Sequence, residues 1–461
     1  MMWRTMTAVA ASILLATAAA AGPTLTATAG LGGMVRASRW TPVRVLLTAT
    51  DADTTGDLEV AWGSATIRRR LVFDSAGTRR MDFHIRTPDP EPQLRVRFSQ
   101  PSGAAASIEV PVQIARDVDR IEVCVVPEQA EAPDESACST RVSPADLPVS
   151  LRGYEAADDV RWPAGRVGLA PAQDAALAQW ETLKRLDATG ALSLTPQAPR
   201  PTVERGLPPS IARGLFLISS IYCILLWLVG AAGARRGLGS LGLSIGVAAT
   251  VALACAAVVA LGHVGPQRAV VVHHRSVLQQ VPGFETALLS MRAVAQFAGR
   301  DVTALRLPVA DGVIEPSQAR GRAETVVDAE GFPTLTATVA LADRWSFGVE
   351  AVVPAQLLAL EGSPGGVRIT NRSQYSMKGC QLASGLEPAT VDVLGPGRTI
   401  EATWKELAAG GAPDVLGPLV TCSMNGAAVS MNDSRRPVHM RGTTLVAAYQ
   451  PPTWVVESGA P

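Results

Sequence analysis

Three groups of residues in this 461-residue sequence have types that could do chemistry. His273 and His274 place two imidazoles side by side, and imidazole is a preferred zinc ligand. Adjacent strand residues point to opposite faces, though, and no cysteine or further histidine is spaced to complete a tetrahedral set, so no metal is expected. Gly237, Gly239 and Gly242 spell GxGxxG, which cradles a dinucleotide pyrophosphate when it sits at a strand-to-helix turn. Here no strand precedes it, Arg235 and Arg236 stand just ahead, and apolar residues follow, so no cofactor is expected either. Ser219, Ser290 and Ser376 have no His and Asp arrangement nearby, which leaves a serine hydrolase without its base, and no catalytic residue is assigned. His84 and His439 stand alone and read as surface or turn residues. Asn371 and Asn432 begin Asn-x-Ser triplets, which also arise by chance and are given no role.

The cysteines speak to location more than to catalysis. Of six, Cys223 and Cys255 fall in hydrophobic stretches, while Cys124 and Cys138 lie in one soluble region and Cys380 and Cys422 in another. In an oxidising compartment, pairing within each region has the lowest loop-closure cost; free buried thiols are the alternative. Lysine plus arginine and aspartate plus glutamate number 41 each, so no global field would draw in nucleic acid.

The elements that must carry these residues are unusually plain at two places. Residues 1–21 have the parts of an export signal: Arg4 as the charged n-region, an apolar stretch from Thr7 to Ala21, and Ala19-Ala20-Ala21 as a cleavage site before Gly22. An uncleaved anchor is the alternative. A transmembrane helix is expected over 212–234, uncharged from Gly214 onward, and a second, uncharged, over 237–262, each about as long as the hydrocarbon core requires. Arg235 and Arg236 would form the cytoplasmic turn of this hairpin, and Gly242 and Gly246, four residues apart, would let the helices approach closely. No Asp, Glu, Lys, Arg or His lies deep in either span, so ion or proton conduction lacks carriers. With an exported N-terminal region, both large regions would face outward from a bacterial cytoplasmic (inner) membrane.

Residues 22–117 alternate as strands do. Val43, Val45 and Leu47 share one face, Leu58 and Val60 repeat the pattern, and Leu94, Val96 and Phe98 repeat it again. Turn residues at Thr55-Gly56, Ser75-Ala76-Gly77 and Pro88-Asp89-Pro90 give the spacing of a β-sandwich. Arg68-Arg69-Arg70 reads as a solvated strand edge. The stretch Gly30 to Thr48, GLGGMVRASRWTPVRVLLT, resembles the opening of a group of bacterial signal-peptide-bearing membrane proteins whose first domain is immunoglobulin-like. In that group a glutamine-amidotransferase-like α/β domain follows, and Leu147-Pro148, Gly153-Tyr154, Pro171, Gln173 and Trp180 are similar to its first strand-and-helix units. The resemblance implies an Ig-like β domain leading into an α/β segment, here 118–193, with Val123, Val125 and Val126 as a short strand and Leu177, Trp180, Leu183 and Leu186 on one helix face. A working amidotransferase needs a cysteine on a sharp glycine-flanked turn and a histidine base. Cys124 and Cys138 lack the turn, and no histidine lies between His84 and His263, so the segment reads as shortened and inactive. A Pro-rich linker, 194–211, leads to the membrane.

Residues 263–461 read as a second β-rich domain. A strand is expected at Ala269 to Val272, a short helix from Glu285 to Phe297, and a half-buried strand with Trp345, Phe347, Val349 and Ala351 on one face. Gly365 to Leu382 reads as two strands joined by a polar turn, and it again resembles the same group, as does Gly395-Pro396-Gly397. The fold class expected is mainly β with a small α/β segment and two transmembrane helices, with sandwiches on either side of a helical hairpin. The function expected is a non-enzymatic, membrane-anchored envelope scaffold whose partners are the lipid bilayer and another envelope protein, with no nucleic acid and no small-molecule substrate. An envelope enzyme or sensor, or an accessory subunit of a transport or secretion complex, are the alternatives.

Overall fold

The structure is a computed structural model that describes residues 22–103, 105–127, 138–162, 168–188, 209–236, 240–264, 270–297, 301–309, 312–318, 323–328, 330–339, 344–363, 366–382, 390–403 and 418–449. The expected export signal, most of the Pro-rich linker, and Gly237 and Gly239 of the GxGxxG lie outside the described residues. The chain divides into two compact units, Met1–Trp180 and Glu181–Pro461. Both are built mainly from strands.

In the first unit, β1 (Thr24–Ala29), β3 (Thr41–Ala49) and β6 (Gly77–Ile85) form one antiparallel sheet in the order β1-β3-β6. β4 (Thr54–Trp62), β5 (Ala65–Phe73), β7 (Gln93–Ser99) and β8 (Ala105–Pro111) form another in the order β5-β4-β7-β8. Period-two alternation makes each sheet one-sided: Val43, Val45 and Leu47 from the first and Leu58, Val60, Leu94, Val96 and Phe98 from the second share one apolar core. Gly63 and Ser64 close the β4–β5 hairpin in two residues, with Gly63 at φ +54°, the conformation such a turn requires. The core ends at Trp62, whose indole donates to the Glu91 carbonyl at 2.8 Å. Arg68, Arg69 and Arg70 lie in the middle of β5; Arg68 pairs at 2.7 Å with Glu59 on the neighbouring strand.

β2 (Met34–Arg36) and β9 (Gln113–Ala115) pair in parallel and lead to a small α/β element. There β10 (Glu122–Val125), β11 (Thr140–Val142) and β12 (Asp159–Arg161) form a parallel sheet in the order β11-β10-β12, followed by α1 (Pro171–Ala188). α1 opens on Pro171, whose fixed φ suits the first helical position, and buries Leu177, Trp180 and Leu183.

The second unit begins with α2 (Pro209–Arg236) and α3 (Ser240–Val264). α2 starts three residues before the expected span, and Arg235 and Arg236 are its last residues rather than a turn. Where two spans were expected, one stretch among the described residues, Phe216–Gly233, is long and apolar enough to cross a bilayer. Within α3, a helix of 25 residues, Ser244–Ala256 is a shorter apolar stretch.

The strands that follow are β13 (Val270–Gln280), β14 (Ala287–Gln296), β15 (Asp301–Arg306), β16 (Gly312–Gln318), β17 (Ala323–Val327), β18 (Pro333–Val339), β19 (Arg344–Val353), β20 (Leu358–Ser363), β21 (Gly366–Asn371), β22 (Met377–Leu382), β23 (Thr390–Leu394), β24 (Thr399–Thr403), β25 (Pro418–Asn425), β26 (Asn432–Asp433) and β27 (Val438–Tyr449). One sheet runs β16-β19-β14-β13-β27-β25-β22-β23, with β13 and β27 joined in parallel at its middle. β26-β15-β18-β17 and β20-β21-β24 are the other strand groups, and all three contribute to a single apolar core.

One expectation fails here, and another holds with partners that the sequence did not reveal. Glu285 to Phe297 is not a helix: Ala287, Leu289, Met291, Ala293 and Ala295 of β14 turn inward in alternation, because pairing with β13 on one side and β19 on the other overrides the helix preference of Ala, Leu, Met and Gln. The strands within Gly365 to Leu382 form, but they do not pair with each other. β21 joins β20 and β24, while β22 joins β23 and β25. Similarly, the strand expected at Ala269 to Val272 runs on to Gln280.

Candidate functional site

In the first unit the polar side chains converge on the joint between the β-sandwich and the α/β element. Gly30 and Gly32 shape it. Their φ values are +72° and +59°, and a Cβ at Gly32 would lie 2.1 Å from the Thr140 hydroxyl and 2.7 Å from the Arg141 carbonyl, so only glycine lets this turn dock against β11. Thr140 Oγ1 in turn donates to the Gly32 carbonyl at 3.0 Å. Arg36, at the end of β2, donates to Asp158 at 2.8 Å and to the Asp119 carbonyl at 2.5 Å, while Asp158 also accepts from the Ile121 amide. The Asp119 carboxyl is held below its usual range, chiefly by hydrogen bonds from the Arg116 side chain and backbone.

A second set of contacts closes the other side of the joint. Two guanidinium carbons lie over the buried indole of Trp40, that of Arg86 at 4.6 Å from the ring centre and that of Arg152 at 5.1 Å. Arg44 bridges Asp82 at 3.2 Å and Asp146 at 2.5 Å. Tyr154 donates to the Pro148 carbonyl and lies 5.8 Å from Trp180, and Gln173 donates to the carbonyls of Pro144 and Leu147. A crevice of about 30 Å³ beside Arg44 is lined by Asp82, His84, Asp146, Pro148 and Val149. That is room for about one water, and its carboxylates already share one guanidinium, so it is a seam and not a substrate pocket. His84 is thus a half-buried strand residue of β6, and His439 lies in β27; neither is in a turn.

The second unit holds a buried polar row. His274 and His273 point to opposite faces of β13: His274 is 2 % exposed, His273 is half-buried, and the two imidazoles do not converge. His274 Nδ1 lies 3.1 Å from Ser276 Oγ, which lies 3.0 Å from Thr444 Oγ1, which donates to the Gly426 carbonyl at 2.7 Å. A carbonyl only accepts, so the direction of the whole row follows: Thr444 spends its proton on Gly426, Ser276 donates to Thr444, and His274 donates from Nδ1 to Ser276. The serine proton points away from the imidazole, so His274 is not placed to act as its base. His274 Nε2 is buried without a hydrogen-bond partner among the described residues, and burial, then the charge of His273, lowers the imidazole pKa to about 4. Sequence reading missed Ser276, although His-x-Ser in a strand puts both side chains on one face.

Asn371 is also a core residue. Its amide donates to the carbonyls of Tyr375 and Leu394, and its Oδ1 accepts from the Ser373 amide and hydroxyl. This network carries the chain out of β21 and across to β22. Asn371 is fully buried, which closes the triplet to modification, whereas Asn432 is exposed.

Cys124 is bonded to Cys138 and Cys380 to Cys422; Cys223 and Cys255 are free and exposed on α2 and α3. α2 and α3 touch where Gly246 meets Val229, so closely that a Cβ on Gly246 would come within 2.8 Å of Val229 Cγ1. Gly242 lies in the α3 backbone. Ser220 and Thr250 fold their hydroxyls back onto the carbonyls four residues earlier, Phe216 and Gly246, which satisfies them inside apolar helices. Among the described residues no three His, Cys, Asp or Glu side chains come together as metal ligands would.

Residues 22–114 match the family model of a domain of unknown function, DUF8726. No curated protein matches the sequence. Among solved structures, similarity is found to the CARDB domain of the PF1109 protein from Pyrococcus furiosus in complex with di-metal ions, at 13% identity over 20% of this chain and 90% of that one, with a TM-score of 0.16. The solution structure of the same domain gives 12% identity over 20% and 95%, also at 0.16. A structure concerning host cell surface retention of a 1.5-MDa bacterial ice-binding adhesin gives 7% identity over 93% and 98%, at 0.15.

Proposed function

We propose that the protein is a non-enzymatic, membrane-anchored envelope scaffold that presents two disulfide-bearing β units to another envelope protein. The observation that carries this reading is the alternation of surfaces along the chain. α2 exposes Phe216, Ile224 and Trp227, which only lipid or another apolar helix would cover, while the strand-rich units before and after it are closed around their own cores. The disulfides support an oxidising compartment for both units. In this reading residues 1–21 direct export, α3 returns the chain across the inner membrane beside α2, and the α/β element is a shortened amidotransferase-like remnant retained as a brace. The polar groups brought together are spent on internal ties, which favours binding over catalysis.

Topology is the first test. Val118→Cys in the first unit and Val393→Cys in the second place thiols at exposed positions. Both are expected to react with a membrane-impermeant maleimide in intact cells. Labelling of either only after permeabilisation would overturn the arrangement. Mild cross-linking in membranes followed by mass spectrometry is expected to return a stoichiometric envelope protein, and recovery of the chain alone would remove the scaffold reading.

A further inference from the structure

Among the described residues of the second unit, the seam between β13 and β27 is the one place where strands far apart in sequence are joined in parallel, over Val270 to Gln280 and Val438 to Ala448. His274 sits in its middle, opposite Gly442. The fit there leaves no slack: a Cβ on Gly442 would lie 1.9 Å from the His274 carbonyl oxygen and 3.0 Å from its ring carbon Cδ2. Nδ1 is committed as a donor through Ser276 and Thr444, and Nε2 is buried without an acceptor among the described residues. The neutral imidazole therefore fits in one tautomer, and the cation has no place for its second N–H.

The surroundings offer no compensation. On the core-facing side, β14 supplies Met291, Ala293 and Ala295 and β27 supplies Met440, Gly442 and Thr444, none of which ionises. His273, Arg275, Arg292, His439 and Arg441 lie on the opposite face of the same three strands, and all would carry positive charge if they ionised. From the strands across the core come Leu305, Leu335 and Ala337. Charged residues on those strands include Arg306, which Asp328 and Glu330 engage, together with Glu324 and Asp433; the charge felt at the imidazole is that of His273.

We propose that His274 makes the β13–β27 seam acid-labile: a second proton at Nε2 puts an uncompensated cation into the core, and the seam opens to release it. The sign follows from linkage. The histidine binds its proton more weakly folded, at about 4, than unfolded, at 6.5, so the stability it supports is complete above pH 6.5 and is lost as pH falls from 6.5 toward 4. At pH 5 the opening equilibrium should rise about 30-fold over its value at pH 7.5. The protein would then loosen one seam in a mildly acidified envelope while its first unit, which holds no comparable group among the described residues, stays closed.

Hydrogen exchange of the full chain in detergent, followed peptide by peptide and corrected for the intrinsic pH dependence, tests this at pH 7.5 and 5.0. Peptides covering Val438–Tyr449 are expected to open about 30-fold more at pH 5.0, while those covering β3 and β4 change by less than about threefold. In His274→Gln the acid response of β27 should vanish, and in His273→Gln it should persist. Equal protection of β27 at both pH values in the unmodified protein overturns the proposal even if the His274 variant fails to fold. An acid response that survives in His274→Gln overturns it as well.

Discussion

The two units solve the problem of buried polarity in opposite ways. The first gathers charge at a joint: Arg36 with Asp158, Arg44 with Asp82 and Asp146, and two guanidiniums against Trp40. The second buries neutral groups inside its sheets: His274 with Ser276 and Thr444, Asn371 with Ser373, and Gln280 with the Leu358 backbone. Charged ties at a partly solvated joint tolerate imperfect geometry, since water completes what the protein does not. Neutral ties in a dry core have no such reserve, so their loss leaves orphaned donors and acceptors. The first unit should be robust and adjustable, the second exacting.

The sharpest way to break that contrast is steric. Gly442→Ala should destabilise the second unit by about 3 kcal/mol or more, because the new methyl meets backbone on β13 and not a movable side chain. Urea unfolding followed by hydrogen exchange should show the loss in β13 and β27 and leave β3 unchanged. Asn371→Ala should be next, at about 2–3 kcal/mol, since it removes the Asn371 partner of the Leu394 carbonyl and of the Ser373 amide and leaves the Tyr375 carbonyl with the Ser373 hydroxyl. Its readout is earlier exchange across Met377–Leu382.

In the first unit the effects should be smaller. Arg36→Met should cost about 2 kcal/mol, detected as a lower urea midpoint for peptides spanning β2 and β12, because Asp158 stands partly open to solvent and keeps the Ile121 amide. Arg95→Ala, which breaks a pair that is exposed on both sides, should change the midpoint by no more than about 0.5 kcal/mol. A larger loss from Arg95 than from Asn371 would reverse the comparison.

Reading the residues went furthest where structure is local. TPVRVLLTAT alternates apolar and polar, and β3 lies there with Val43, Val45 and Leu47 inside. ALLSMRAVAQ misled because most of its residues individually suit a helix, and what makes it a strand is two partners, one ahead of it and one about sixty residues on. Alternation reveals which face a residue takes but not which strand lies beside it, so β21 and β22 were visible while their separation was not. The joint was hidden for the same reason. Gly32, Arg36, Thr140 and Asp158 are individually unremarkable, and they acquire meaning only when the chain brings them within hydrogen-bonding distance. The polar row at His274 had a local trace in His-x-Ser, but Thr444, its third member, lies 168 residues from Ser276.

That distance bears on how the protein is made. β13 is the first strand of the second unit and β27 the last described, and both β13 and β25 must wait for β27 to have a second neighbour. During synthesis the sheet therefore stays divided until the residues from Val438 onward have been delivered. A loop of well over a hundred residues must then close in one step, and topologies of this kind fold slowly. Until then the backbone edge of β13 is open to any strand that passes, so the growing chain is at its most vulnerable just before β27 emerges.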